Sequence, residues 1–164
     1  NKITLGTQHR NTLLLMNTNC PFCNADNQLL AFATSGDFKA IYNLSPILPG
    51  HCLVIPQRHV TSLFDLDEEE ISSFFSFARK VTAFVCKVFG SDAYDWSLQE
   101  GNEAGQSIDH LHLHIIPRKP DDLGDSGDWY GLLQQSVDPQ NKQRITLSDT
   151  EYKELSLKLG KLWK

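Results

Sequence analysis

The strongest pattern along the chain is a helical stripe. Ile71, Phe74, Phe75, Ala78, Val81, Val85 and Val88 recur at the spacing of one helix face between about Asp67 and Phe89. Asp65 or Asp67 can cap this helix, Glu68, Glu69 and Glu70 suit its positive end, and Gly90 stops it. The stripe reads as core packing rather than a cofactor surface. Upstream, Phe38 to Leu44 and His51 to Ile55 read as two strands, joined by the Pro46 to Gly50 turn into a hairpin-like antiparallel pair; Pro56 stops the second. Trp96 to Gln99 and Ile108 to Ile116 read as two further strands. The glycine-containing loop Glu100 to Gln106 lies between them, and Pro117 ends the second. Pro120 to Asp128, rich in acids and glycine, reads as a mobile loop. Ser148 to Lys164 reads as a closing helix, with Ser148 and Glu151 as a capping box and Leu155, Leu159 and Leu162 as its buried stripe. The first 19 residues, polar apart from Leu13 to Met16, read as a short strand or arm. Gln134 to Gln143 carries no clear signal, and there are no internal repeats.

Composition narrows the class. The 164 residues are 40% apolar and 21% charged, enough for one complete core, so a single domain over 1–164 is expected. No apolar run is long enough to span a membrane. The net charge of -5 counts against binding nucleic acid through a basic face. It leaves room for a small phosphorylated ligand held by a few local donors. Among four cysteines only Cys20 and Cys23 are close, in Cys20-Pro21-Phe22-Cys23, which reads as a knuckle over residues 19–24. A chain with this much core has little need of disulfide staples, so a metal or redox pair in a reducing compartment is the better reading. No basic, apolar leader opens the sequence, and a cytoplasmic location is expected. Cys52 and Cys86 read as core thiols, and His9 as a surface residue.

The chemistry concentrates in His110-Leu111-His112-Leu113-His114-Ile115-Ile116. On a strand, period two places the three imidazoles on one face and Leu111, Leu113 and Ile115 on the other. Like charges disfavour each other, so at least one of three adjacent imidazoles is expected neutral and nucleophilic near pH 7. Burying three such groups without function is costly. The spacing alone leaves a metal site open as a rival reading.

The neighbouring residues favour nucleotide chemistry. Gln99-Glu100-Gly101-Asn102-Glu103-Ala104-Gly105-Gln106-Ser107 precedes the triad, Pro117-Arg118-Lys119 follows it, and Asn43 with Pro49-Gly50-His51 lies upstream. Together these resemble the histidine triad (HIT) superfamily over roughly residues 38–130. The resemblance implies an α+β fold: an antiparallel sheet of about five strands with one long helix and a C-terminal helix. It implies nucleotidyl transfer or hydrolysis at an α-phosphate, with His112 as the nucleophile and His114 as a donor to the phosphate. His51 and His110 would form a network that orients His112. Gly105, Gln106 and Ser107 would offer backbone amides to the developing charge. Asn43 matches a ribose-binding position. Gln99 and Tyr130 match the fragile-histidine-triad branch, the dinucleoside polyphosphate hydrolases, which points to diadenosine tri- or tetraphosphate as substrate. A homodimer is the usual assembly of the superfamily.

Cys20-x-x-Cys23 departs from that branch. Some superfamily members bind zinc through two such cysteines, the histidine after the second strand and the first histidine of the triad. Those positions are Cys20, Cys23, His59 and His110 here, a set that implies a structural zinc and no organic cofactor. The alternatives are an adenosine phosphoramidase, a phosphorylase using phosphate in place of water, and a nucleotide-binding signalling protein with slow turnover. A zinc module for nucleic acid ends is disfavoured by the acidic balance.

Overall fold

The computed structural model describes residues 20–24, 29–138 and 140–164. The expected N-terminal arm and His9 lie outside the described residues. The elements run β1 (Ala31–Ser35), β2 (Phe38–Tyr42), β3 (Cys52–Pro56), α1 (Glu68–Phe89), β4 (Ala93–Leu98), β5 (Leu113–Arg118), α2 (Trp129–Val137) and α3 (Asp149–Leu162). The strands form one antiparallel sheet in the order β1-β2-β3-β5-β4. No helix among the described residues is long and apolar enough to cross a membrane.

Side-chain alternation divides the sheet into two chemically different faces. Phe38, Ala40 and Tyr42 on β2, Cys52 and Val54 on β3, and Leu113 and Ile115 on β5 enter the main core. That core is closed by Phe74, Phe77, Ala78, Val81 and Val85 of α1 and by Tyr152 and Leu159 of α3. The intervening residues Ile41, Leu53 and Ile55 join Cys20 and Phe22 in a smaller cluster on the other face. Leu53 pairs with His114 across the β3–β5 ladder, so the functional face continues directly into the triad strand.

The helix boundaries follow local chemistry. Asp67 accepts from Glu70 N–H at 2.8 Å while the Glu70 carboxylate returns to Asp67 N–H at 3.0 Å, closing a capping box. Gly90 ends α1 at φ 64°, where a side chain would be strained. Ser148 and Glu151 close the same box on α3. The stripe of α3 is rotated from expectation: Tyr152, Ser156 and Leu159 are buried, whereas Leu162 is 49% exposed. On α1, Phe77 joins the core while Phe75 packs at its edge, stacked on Trp96.

Two expected strand limits shift. The triad strand begins only at Leu113, so His110 and His112 sit on the irregular approach to it. Pro117 lies within β5 rather than ending it. The β3 ladder stops at Cys52–Ile115, so a missing N–H at Pro117 interrupts no pairing on that side. The expected loop Pro120 to Asp128 is followed directly by α2, which Asp128 caps and which runs into the stretch without a clear sequence signal.

Candidate active site

His112 is fixed by its own strand approach. Its Nδ1–H donates to the His110 carbonyl at 2.6 Å, which leaves Nε2 with its lone pair and no partner among the described residues. His112 is buried, and desolvation lowers its pKa below the ordinary 6.5. The ring is therefore neutral at pH 7. Phe22 packs edge-on to it at 5.6 Å between ring centroids.

A second chain of contacts sets the proton of His114. Ile47 N–H can only donate, so His51 Nδ1 accepts it, at 3.2 Å. Burial, reinforced by His112, pushes His51 down to about 3, so it too is neutral. Its single proton is then on Nε2 and is donated to His114 Nδ1 at 2.9 Å. His114, held well below 6.5 by burial, consequently carries its proton on Nε2. Asn43 Nδ2 also lies 3.1 Å from His51 Nε2, but both atoms bear hydrogen in this tautomer. The Asn43 Oδ1 accepts from Ser45 N–H at 2.9 Å.

His112 and His114 thus present complementary atoms: an unprotonated nitrogen and an N–H. Both line a cavity of about 240 Å³. Its apolar lining comes from Phe22, Leu29, Leu53, Ile108 and Val137, and its polar lining includes Asn43, Ser45, Ser107 and Arg144. A few convergent polar groups in an apolar cleft are the usual anatomy of a small-molecule site. A larger cavity of about 780 Å³ lies over α1 and β4 and contains none of the histidines.

The ring of His110 faces elsewhere. Its Nε2–H donates to Pro56 O at 3.0 Å, and its Nδ1 lies 3.4 Å from both Cys20 Sγ and Cys23 Sγ. Cys23 Sγ is also 3.4 Å from His59 Nδ1. The four donor atoms of Cys20, Cys23, His59 and His110 all lie within 4.8 Å of one another. Tetrahedral bonds of about 2.3 Å to sulfur and 2.0 Å to nitrogen require S···N edges of roughly 3.6 Å. These residues can therefore hold a metal ion. The Pro56 bond fixes the His110 tautomer with Nδ1 turned to the thiols.

Residues 25–121 match the model of the family described as the HIT domain, a segment that includes all five strands and the triad. The chain belongs to the HIT domain family. A Schizosaccharomyces pombe protein named bis(5'-nucleosyl)-tetraphosphatase (asymmetrical) is 45% identical over 97 residues, covering 59% of this chain and 53% of that protein. A Dictyostelium discoideum bis(5'-adenosyl)-triphosphatase is 34% identical over 124 residues, covering 76% of this chain and 83% of that protein. A Zn-bound histidine triad family protein from Mycobacterium smegmatis shares the fold, with TM-score 0.63 and 22% identity over 88% of this chain and 94% of that one. This HIT chain spans about half the length of the Schizosaccharomyces pombe relative it matches.

Within the HIT domain the sequence-derived residues fall into three groups. Asn43, Ser107, His112 and His114 line the cavity together. His51 supports His114, rather than His112, through its ring. His110 supports His112 through its carbonyl, while its ring belongs to the thiol cluster. The phosphate loop departs from expectation. The Gly105 and Gln106 amides are spent on its turn, bonded to Asn102 O and Gly101 O at 3.0 and 3.1 Å. The Ser107 amide has no hydrogen-bond partner among the described residues. Gly105 is held at φ 88°, and a Cβ there would meet Gln99 Nε2 at 3.0 Å. Gln99 donates to Ala104 O at 2.9 Å, and Gln106 accepts from Gly101 N–H at 2.7 Å, so both glutamines fold back on their loop. Tyr130, on α2, packs against Trp129 and lies outside the cavity lining.

Sequence reasoning missed Lys39, whose Nζ donates to Phe22 O at 3.1 Å. Its place two residues before Ile41 on β2 was the available signal, since period two puts both on the functional face. It also missed Ser45 and Arg144.

Proposed function

We propose that the chain is a hydrolase of dinucleoside polyphosphates, cleaving at the α-phosphate through a covalent nucleotidyl-His112. The observation that carries this reading is the neutral His112 with Nε2 free in the cavity and Nδ1–H held by the His110 carbonyl. Nε2 attacks the α-phosphorus in line. A P–N bond forms, the bond to the bridging oxygen breaks, and the remaining nucleoside polyphosphate leaves with that electron pair. Water then attacks phosphorus, the P–N pair returns to His112, and the nucleoside monophosphate departs. His114 Nε2–H and the Ser107 amide donate to the non-bridging oxygens, where charge develops. Asn43 binds the ribose. Gln99 and Gln106 exchange their loop bonds for the phosphate chain, with Gly105 keeping that loop tight. Tyr130 has no role in this scheme.

The relatives named bis(5'-nucleosyl)-tetraphosphatase and bis(5'-adenosyl)-triphosphatase support this substrate class. Chromatography of products from diadenosine triphosphate and tetraphosphate, with and without inorganic phosphate, tests it. AMP with ADP or ATP, independent of phosphate, is expected. Turnover of adenosine phosphoramidate alone, or a requirement for phosphate, would reject it.

We also propose zinc as the ion of the Cys20–Cys23–His59–His110 cluster. The two thiols, the two imidazoles and three S···N separations of 3.4 Å suit it, and the Mycobacterium smegmatis protein is Zn-bound. When bound, zinc supplies structural cross-linking of the knuckle to the triad. It takes no part in the phosphoryl steps. Thiol ligands of this kind suit a reducing, cytoplasmic location.

A homodimer across α1 and edge strand β4 completes the proposal. Half-buried Phe75 and Trp96 and exposed Tyr94 line an open groove there. Sedimentation showing a monomer at micromolar concentration would remove this part.

The buried histidines set the pH profile. Protonating His112 removes its nucleophilic lone pair, so activity falls as pH falls through its pKa. Because burial depresses that pKa, the acid limb of kcat/KM has its midpoint below pH 6.5. A limb centred above pH 7 would contradict the assignment.

A further inference from the structure

Arg144 lies beyond the family match, just past the Gln134 to Gln143 stretch that carries no clear signal, yet it reaches the site. It lines the same cavity as His112. The segment that carries it is stitched to the turn after β2: Leu147 N–H donates to Leu44 O at 3.0 Å, and Thr146 Oγ1 lies 3.3 Å from Ser45 Oγ. Arg144 itself donates Nε–H to Ser45 Oγ at 2.8 Å. Ser45 N–H in turn holds the Asn43 side chain at 2.9 Å. A continuous hydrogen-bonded chain therefore joins Arg144 to Asn43.

This bond uses one edge of the guanidinium and fixes its direction. The two terminal amino groups have no partner among the described residues. The side chain is half-buried and forms no ion pair among them. Guanidinium only donates and stays charged, so the group it awaits is an acceptor. The reacting phosphate belongs beside His112 and His114, whereas Arg144 is tied to Asn43.

We infer that Arg144 is a binding residue for the ribose of the nucleoside whose phosphate is attacked, donating to its hydroxyl oxygens beside Asn43. The inference rests on the nucleotide reading of the cavity. It adds selectivity for a ribonucleoside, supplied by a segment outside the family match.

Calorimetry with AMP and 2',3'-dideoxy-AMP tests it on the natural chain and on Arg144→Ala. The substitution should weaken AMP about tenfold, as expected for one charged hydrogen bond. It should leave the dideoxy ligand unchanged. Equal losses for both ligands, or no loss for AMP, would overturn the inference. Arg144→Lys keeps the charge but not the Ser45 geometry, and carries the same comparison if the alanine variant melts early. Hydrolysis of diadenosine triphosphate by the natural chain is measured alongside. Normal hydrolysis with unchanged AMP affinity in the variant overturns the ribose contact alone. Failure of the natural chain both to bind AMP and to hydrolyse overturns the nucleotide reading as well.

Discussion

Replacing His112 by asparagine is expected to lower kcat by at least about 10⁴-fold, the scale seen when a covalent nucleophile is removed. The fold should survive. Asparagine can place its amide N–H near the position of imidazole Nδ1 and keep the bond to the His110 carbonyl. The packing lost is one ring edge against Phe22. Nucleotide affinity should therefore change little, because Asn43, Ser107 and His114 still line the cavity. The check is single-turnover kinetics together with AMP binding and a thermal melt. Near-normal turnover would exclude the covalent route, whereas loss of turnover with loss of fold would say nothing specific about Nε2. Calorimetry separates these outcomes.

Replacing Cys20 by serine should be the larger event for stability. Cys20 is buried, and its sulfur is one of four donors in the thiol–imidazole cluster. Losing a metal ligand belongs to the short class of severe changes, and about 3 kcal/mol is expected, or roughly 6–12 °C in Tm for a chain of this size. Metal content should fall from one ion per chain towards zero, and chelation of the natural chain should reproduce the shift. A catalytic cost should follow, because the knuckle also helps to build the cavity. Pro21 and Phe22 line the cavity, and Phe22 packs on both His110 and His112 at 5.5 and 5.6 Å. Loosening it should reduce kcat/KM about tenfold, the scale of lost outer-shell support around a metal ligand. An unchanged Tm with no metal in the natural chain would remove the cluster from the account.

The parts of this architecture legible in the sequence were those with a strict period or a local cap. The α1 stripe, a cap at Asp65 or Asp67, the Ser148 capping box and the alternation of the histidines each depend on residues a few positions apart, although the strand itself takes up only the last of the three histidines. β1 was missed because Ala31 to Ser35 lacks alternation. The two-residue Gly36-Asp37 turn before β2 was its signal. α2 follows an acidic, glycine-rich stretch that masks its start at Asp128. At the site, residue identity was legible but partnership was not. Nothing local says that His51 reaches His114 across 63 positions, or that the His110 ring turns to cysteines about 90 positions away. The amides of Gly105 and Gln106 illustrate the same limit: their composition suits an anion, while their turn consumes the donors. Arg144 depends wholly on tertiary placement.

A covalent nucleotidyl-His112 can be trapped by rapid-quench peptide mapping. The natural chain is mixed with radiolabelled diadenosine triphosphate, quenched in base within milliseconds and digested. A transient nucleotidyl group is expected on the peptide containing His112, at the imidazole, formed and lost at rates compatible with turnover. Rapid turnover with no labelled peptide, together with inversion at phosphorus in a chiral α-phosphorothioate substrate, would contradict it and mean that water attacks directly.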